Sequence, residues 1–174
     1  PLRTEENNMT VSKIWVFGEA AGGTVSNTTL ELLAKARTIA DTVEVVTAAG
    51  ADIAGAVGAN GASKVLTVPG TDGKLLGAPV AAAIAAAIEA GNGPDAILLA
   101  TSYDGRDVAG RLSVKVDAPV ITNVVDLVAR DGAVRRGPSA LQPRVGHGCL
   151  PAGTRTHDVD DIEIVFLDGA VQMD

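Results

Sequence analysis

The sequence predicts an α/β fold: a three-layer, doubly wound and mostly parallel sheet with helices on both faces. Five short apolar runs rich in Val, Ile and Leu alternate with segments of helical periodicity, which implies right-handed crossover connections. The chain is 47% hydrophobic but only 2% aromatic, so its core must be aliphatic, as it is in strands buried on both faces. Its 174 residues are enough for one such domain.

The first strand and helix are predicted from an apolar run and a capping pattern. Residues 14–17 are β-branched and aromatic and predict a buried strand, and glycines at 22 and 23 predict a loop after it. Thr28 and Glu31 match a capping box, in which the two side chains pair free donors at a helix start. The apolar face of this helix is predicted to contain Leu30, Leu33 and Ala34.

Two further strands and a short helix follow. Residues 43–47 predict the second strand, and residues 64–68 predict the third. Between them, Asp52 is predicted to cap a short helix that ends at the Asn60–Gly61 pair. A turn is predicted at residues 69–73, where two glycines follow Pro and Asp.

The next segments complete the predicted sheet. Residues 75–90 are Ala-rich and predict the longest helix, closed by Gly91, and residues 97–100 predict the fourth strand. Residues 107–116 predict a helix, and residues 120–128 predict the fifth strand. In the helix predicted over 107–116, the apolar positions at helical spacing are Val108, Leu112 and Val116. Asp131 and Gly132 then predict a turn into a short strand over 133–135.

Charge and cysteine content limit the class of partner and the compartment. The formal net charge is −7 and the estimated pI is about 4.7, which disfavours nucleic acid or an anionic membrane surface as the main partner. Cys149 is the one cysteine, so no internal disulfide forms, as expected in a reducing compartment. No apolar run reaches the roughly 18–20 residues of a membrane helix. We therefore expect a cytoplasmic protein of bacterial type.

The chain is predicted to have three parts. Residues 1–8 contain two Glu and no apolar segment, so we expect a non-native or disordered start and no secretory signal. Residues 9–136 form the α/β domain. Residues 137–174 are an irregular tail, in which prolines, glycines and arginines replace the periodic pattern and one strand is predicted at 162–167.

The glycines of two segments do not match a phosphate-binding motif. Gly18 and Gly23 have the spacing of a P-loop, but Thr24 stands where the lysine should be. The dinucleotide pattern also fails, because no glycine stands two residues after Gly18. The glycines at 55, 58 and 61 are more typical of a weak, short helix than of a nucleotide site.

The loop after the fourth strand is the most informative segment. It lies at the carboxyl edge of the sheet, where open α/β folds place their ligands. The weak candidates for cofactor binding are Thr101, Ser102, Gly105 and Arg106. These groups and the helix start could bind an anion. The alternative is an ordinary helix cap, in which Asp104 or Asp107 closes the helix and Arg106 is solvated.

Metal and nucleophilic chemistry are not supported by the sequence. His147, Cys149 and His157 invite such an interpretation, but zinc needs three or four ligands in fixed geometry, and a catalytic cysteine needs an ordered base. A Pro- and Gly-rich stretch separates these residues. We therefore predict no metal and no catalytic residue.

Four segments resemble the electron-transfer flavoprotein alpha subunits. They are VFGE at 16–19, the helix at 26–40, ATSYDGRDVAGRL at 100–112 and VITNVVDL at 120–127. In that family a strand ends in Glu, and a Gly-Arg-Asp segment with a later Arg-Leu precedes a Thr-x-Val-x-Asp-Leu strand. The similarity covers about residues 11–136, and the Gly-Arg-Asp to Asp-Leu part is the specific one.

This resemblance implies a fold, a partner and a cofactor. The family's amino-terminal domain is similar to the adenine-nucleotide-hydrolase-like α/β fold, packs on a beta subunit and is not expected to bind nucleotide. The complex takes electrons from dehydrogenases and passes them to a quinone reductase or a similar acceptor. FAD lies mainly in a carboxy-terminal domain whose Gly-Arg-Gly segment has no counterpart here, so no cofactor and no activity are expected for this chain alone. Arg106, Arg111 and Asp126 are the interface residues that the resemblance implies.

The tail departs from that family. A strand at 133–135 should lead into a Gly-Gly turn and a strand ending in Val-Arg, which residues 137–156 do not provide. The composition of residues 137–156 is typical of a GC-rich gene read out of frame, so one hypothesis is that the tail is frameshifted. The alternative is a divergent linker. Two other functions stay open: a small nucleotide-binding protein of the universal-stress type, whose glycine motif is matched only imperfectly at 58–71, and a small hydrolase, for which no nucleophile with a base is found.

Overall fold

A six-stranded sheet with helices on both faces forms the fold. The computed structural model of the chain describes residues 10–49, 53–124, 126–137 and 162–166. The strands in chain order are β1 (Val11–Gly18), β2 (Ala20–Ala21), β3 (Thr24–Val25), β4 (Ala40–Thr47), β5 (Lys64–Thr67), β6 (Ala96–Ala100), β7 (Val120–Val124), β8 (Leu127–Arg130), β9 (Ala133–Arg136) and β10 (Ile162–Phe166). The α-helices are α1 (Asn27–Ile39), α2 (Ala54–Ala59), α3 (Gly77–Ala87) and α4 (Tyr103–Val116).

The strand order of the main sheet is β5-β4-β1-β6-β10-β7. The four strands β5, β4, β1 and β6 are parallel, as the alternation of strands and helices predicts. Antiparallel β10 lies between β6 and β7, and Ile162 is in register with Ala100. The strand predicted at 162–167 is thus confirmed through Phe166. It adds a segment of the predicted tail to the sheet of the α/β domain.

The core has two halves, one on each face of the sheet. Successive residues of β1 point to opposite faces, so Ile14 and Val16 belong to one half while Trp15 and Phe17 belong to the other. Helices α1 and α2 cover the first half, and α3 and α4 cover the second. The continuous apolar runs of β1 and β6 are explained by burial on both faces.

The start of α1 differs from the prediction. The N-cap is Ser26, whose Oγ accepts a hydrogen bond from the backbone N–H of Thr29 at 3.2 Å, and the Thr28–Glu31 capping box is wrong. Extended backbone at Ser26 lets its hydroxyl reach that N–H, so the helix begins at Asn27, before the predicted cap. The buried face is correspondingly rotated: Ala34 is exposed, and the buried residues are Thr29, Leu32, Leu33, Ala36 and Ile39.

The predicted Ala-rich helix is shorter in the structure. The helix predicted over 75–90 begins at Gly77 and passes after eleven residues into a π-helical turn, which contains Gly91 with φ of 80°. Leu75 is 85% exposed in the preceding loop, and α4, with fourteen residues, is the longest α-helix of the described chain. Gly91 ends the segment as predicted, because glycine adopts positive φ without strain.

The strand predicted over 120–128 is divided into β7 and β8. Asn123 has φ of 55°, in the left-handed region, and makes β7 irregular one residue before it ends at Val124, where its pairing with β10 also shifts register. Strand β8 pairs with β9 as an antiparallel hairpin through the predicted Asp131–Gly132 turn, in which both residues have positive φ. The predicted cap Asp52, the predicted start and residues 138–161, which include His147, Cys149 and His157, lie outside the described residues.

Candidate functional site

A cleft of about 570 Å³ opens at the carboxyl edge of the parallel strands. The chain proceeds from β1 outward through β4 to β5 and then returns to the other side of β1 as β6. The crevice between β1 and β6 is therefore the point where the strand order reverses, which is where open α/β sheets bind ligands. The lining comes from the ends of the parallel strands, β2, the starts of α1 and α4 and the loop before α3: Phe17, Gly18, Glu19, Ala20, Ala21, Ser26, Ala48, Ala49, 71–76 and Asp104.

The backbone of Glu19 is fixed by the start of α1. The Glu19 N–H donates to Thr29 Oγ1 at 2.9 Å, and the Glu19 carbonyl accepts from the Ser26 N–H at 3.0 Å. Thr29 is 1% exposed, and its hydroxyl accepts from the Glu19 N–H, donates to the Glu19 carbonyl at 3.3 Å and lies 2.9 Å from Ser26 Oγ. The turn of β2 and β3 that follows contains the two glycines predicted to form a loop. Glu19 is thus held at the end of β1 with its side chain directed toward β6.

The carboxylate of Glu19 bridges to the start of α4. Its Oε1 accepts a hydrogen bond from the hydroxyl of Ser102, and Ser102 Oγ in turn accepts from the Gly105 N–H at 2.9 Å. Burial raises the pKa of Glu19 above its ordinary value of 4.5. The hydrogen bond from Ser102 lowers this pKa in part, and the negative charge of Asp104 raises it further.

Of the four weak cofactor candidates of the loop, Ser102 and Gly105 are joined by a hydrogen bond, whereas Arg106 lies apart from the cleft. Ser102 is the N-cap of α4, which begins at Tyr103, so the predicted start and cap at Asp104 or Asp107 are wrong. The small hydroxyl reaches the Gly105 N–H, and glycine is required there because a Cβ would overlap the carbonyl oxygen of Ala100. Thr101 is half-buried beside them. Arg106 lies on the exposed side of α4, away from the cleft lining.

The described residues of the cleft do not fit the pyrophosphate of a flavin or adenine dinucleotide. Three carboxylates, those of Glu19, Asp72 and Asp104, line it, and they would repel such an anion. The cation of Lys74 is engaged with the carbonyl of Gly70 at 2.8 Å. The Ser102 hydroxyl at the start of α4 already donates to Glu19, and it accepts from the Gly105 N–H, one of the backbone donors that a helix start offers to an anion.

The three predicted interface residues occupy two separate surfaces. Arg111 on α4 pairs with Asp107 one turn earlier, with Nε and Oδ1 2.7 Å apart, and Arg106 lies on the same helix. Asp126 instead pairs with Lys35 of α1, with Oδ1 and Nζ 2.6 Å apart. Because α1 and α4 cover opposite faces of the sheet, one flat contact does not include all three. The hydrogen bond from Lys35 lowers the pKa of Asp126.

Sequence reasoning did not assign a role to Glu19. The available signal is a charged residue directly after a buried strand, at the edge where such folds place ligands. Across the described ranges no group of three or more His, Cys, Asp or Glu side chains is arranged to hold a metal. Within the same ranges no helix has both the length and the apolarity of a membrane span.

Comparison with known proteins gives two matches. The family model described as "Electron transfer flavoprotein domain" matches residues 14–140, which extends from within β1 through β9. The chain is also similar to the electron transfer flavoprotein subunit alpha of Mycobacterium leprae (strain TN), with 30% identity over 123 residues. The match covers 68% of this chain and 38% of the relative, so the chain spans well under half of that protein's length.

Proposed function

This chain belongs to the electron transfer flavoprotein family, and we propose that it is the amino-terminal, beta-subunit-packing domain of an FAD-containing alpha subunit. In this proposal the whole protein carries electrons from dehydrogenases to a quinone reductase and the respiratory chain. The observation that carries the proposal is the family match over residues 14–140, supported by the alpha-subunit relative.

The cleft supports a scaffolding role for this domain. A cofactor-binding version of the crevice between β1 and β6 would present free donors to a phosphate. Here Glu19 takes the hydroxyl of Ser102, and the other charged groups of the lining are mostly acidic. We therefore assign the binding of FAD to the larger part of the alpha subunit that lies outside the matched 38%.

The experiment is coexpression of this chain with the beta subunit encoded in the same genome. We expect the chain alone to be colourless and to copurify with a tagged beta subunit. Because β10 belongs to the sheet, a flavin-binding portion taken from an alpha-subunit relative is joined after Asp174, and not after Arg136. This fusion, coexpressed with the beta subunit, should be yellow.

Two outcomes would contradict the proposal. One is a chain that alone retains FAD through gel filtration, which would move the flavin site into the cleft. The other is saturable binding of labelled ATP by the chain without affinity for the beta subunit, which would favour the universal-stress type of nucleotide-binding protein. In both binding measurements, of FAD and of labelled ATP, a Glu19→Ser variant is the matched control, since it removes the carboxylate that blocks the anion position.

A further inference from the structure

The outward side of α4 carries exposed apolar side chains. Tyr103 is 95% exposed and Val114 is 84% exposed. Of the described residues, the exposed large hydrophobic ones are these two and Leu75, in the loop before α3. Surface hydrophobic residues that occur singly need no explanation, whereas an exposed apolar patch rimmed by polar residues marks an interaction site. We call Tyr103, Gly110 and Val114 the α4 stripe.

Helical spacing places the stripe on one line. Its members are seven and then four residues apart, so they lie on one side of α4. The residues that face the sheet, Val108 and Leu112, are fully buried on the opposite side. A shallow groove of about 650 Å³ runs beside the stripe, with Ala78 of α3 on its far wall.

Gly110 gives the centre of the stripe an unusual shape. An added Cβ there would meet no atom within 4 Å, so the internal packing of the fold does not require glycine at this position. Glycine in an exposed helix interior costs about 1 kcal/mol relative to alanine. A residue without a side chain between Tyr103 and Val114 leaves a notch, which allows the backbone of another element to approach closely.

The charges around the stripe differ in sign from those of the whole chain. The groove is bordered by Arg106, Arg111 and Lys115, and its one carboxylate, that of Asp107, pairs with Arg111 at 2.7 Å. The lining of the groove is therefore net positive, with Asp104 and Asp117 at the two ends of α4 outside it, although the chain has a formal net charge of −7. Two copies of this chain meeting through the stripe would bring like charges together, because a two-fold contact pairs the same surface with itself.

We propose that the α4 stripe docks an apolar helix of the beta subunit that is bordered by Asp and Glu. The inference rests on the proposed function and names the surface through which the beta subunit is bound. Tyr103 and Val114 supply the apolar contact area, Gly110 admits the partner backbone, and the basic border pairs with the acidic side chains. This surface contains Arg106 and Arg111 and leaves Asp126 outside it.

The test measures the affinity of the full chain for the purified beta subunit by calorimetry. Gly110→Leu fills the notch, and Val114→Glu places a negative charge opposite an acidic partner. Each change should weaken binding at least about tenfold. Gly58→Leu on α2, where a Cβ also has open space, and Ala34→Glu on the exposed side of α1 are the matched controls, expected to bind within about twofold of the unchanged chain.

The outcomes separate this inference from the proposed function. Unchanged affinity of both Gly110→Leu and Val114→Glu, with thermal unfolding showing folded protein, would overturn the α4 stripe while leaving the proposed function intact. No binding of the beta subunit by the unchanged chain would overturn both. Self-association of the chain that Gly110→Leu abolishes would replace the beta subunit by a second copy and overturn the proposal. Weaker binding at higher salt would support the charge pairing.

Discussion

Glu19 and Ser102 are joined by a hydrogen bond that spans 83 positions of the sequence and links the end of β1 to the start of α4. The carboxylate thereby takes the donor that an anionic ligand would use at the point where the strand order reverses. The site is closed by a side chain of the protein itself. The stability of the domain then depends in part on the ionisation of this half-buried carboxyl group.

Glu19→Gln should change how stability depends on pH. Because burial raises the pKa of Glu19, the folded chain holds this proton more tightly than the unfolded chain does. The contribution of Glu19 to stability is therefore largest below the unfolded pKa and is lost as the pH rises through the folded pKa. Glutamine keeps an oxygen acceptor and carries no charge, so the variant should gain stability relative to the unchanged chain as the pH rises from about 4.5.

Urea unfolding from about pH 4 to pH 7 measures that difference. Glu31→Gln, on the exposed side of α1, is the control for the loss of one negative charge. If the free energy of unfolding of Glu19→Gln, minus that of the unchanged chain, stays constant or falls as the pH rises, Glu19 has no raised pKa in the folded state.

Gly105 and Gly110 lie on the same helix and should respond oppositely to alanine. A Cβ at Gly105 would overlap the carbonyl oxygen of Ala100, so Gly105→Ala should cost about 1–3 kcal/mol of the free energy of unfolding. A Cβ at Gly110 meets open space, and Gly110→Ala should stabilise the fold by up to about 1 kcal/mol. Thermal and urea unfolding of both variants check this, and a loss of stability at both positions would contradict it.

The main strands and the outline of the fold could be predicted from the sequence because their signals are local. Residues 14–17 and 97–100 are continuous apolar runs, and both segments are buried as part of β1 and β6. The alternation of strands and helices then implies parallel pairing. The sequence predicts that α3 begins too early, at Leu75, because the Ala-rich segment has high helix propensity. In the structure Leu75 is exposed in the loop before the helix.

The details of the candidate site could not be predicted, because they depend on contacts that are distant in sequence. No spacing pattern relates Glu19 to Ser102, and only the neighbouring positions of β1 and β6 bring them together. The start of α1 shows the same limit locally. Thr28 and Glu31 match a capping pattern, but the hydrogen bond of the Ser26 N–H to Glu19 holds the chain so that Ser26 is the cap.

Ser26→Ala should therefore destabilise the domain by about 1 kcal/mol. The change removes the acceptor for the Thr29 N–H and the hydroxyl contact with Thr29 Oγ1, which also supports the backbone of Glu19. Ser26→Asn keeps an oxygen that can cap the helix and should recover most of the loss. Urea unfolding is the measurement, and equal stabilities of the alanine and asparagine variants would contradict the assignment of the cap.

Asp126→Asn should lower stability by less than about 1 kcal/mol at neutral pH, because the pair with Lys35 is partly exposed and screened. The hydrogen bond from Lys35 lowers the pKa of Asp126, so the stabilisation is present above the unfolded pKa and is lost as the pH falls through the folded pKa. A double-mutant cycle with Lys35→Met isolates the pairwise energy. This energy should shrink in high salt and vanish in strong acid, where Asp126 is protonated, because it depends on the charge of Asp126. A coupling energy that persists in acid would mean that packing of the two side chains, and not their charges, connects α1 to the segment between β7 and β8.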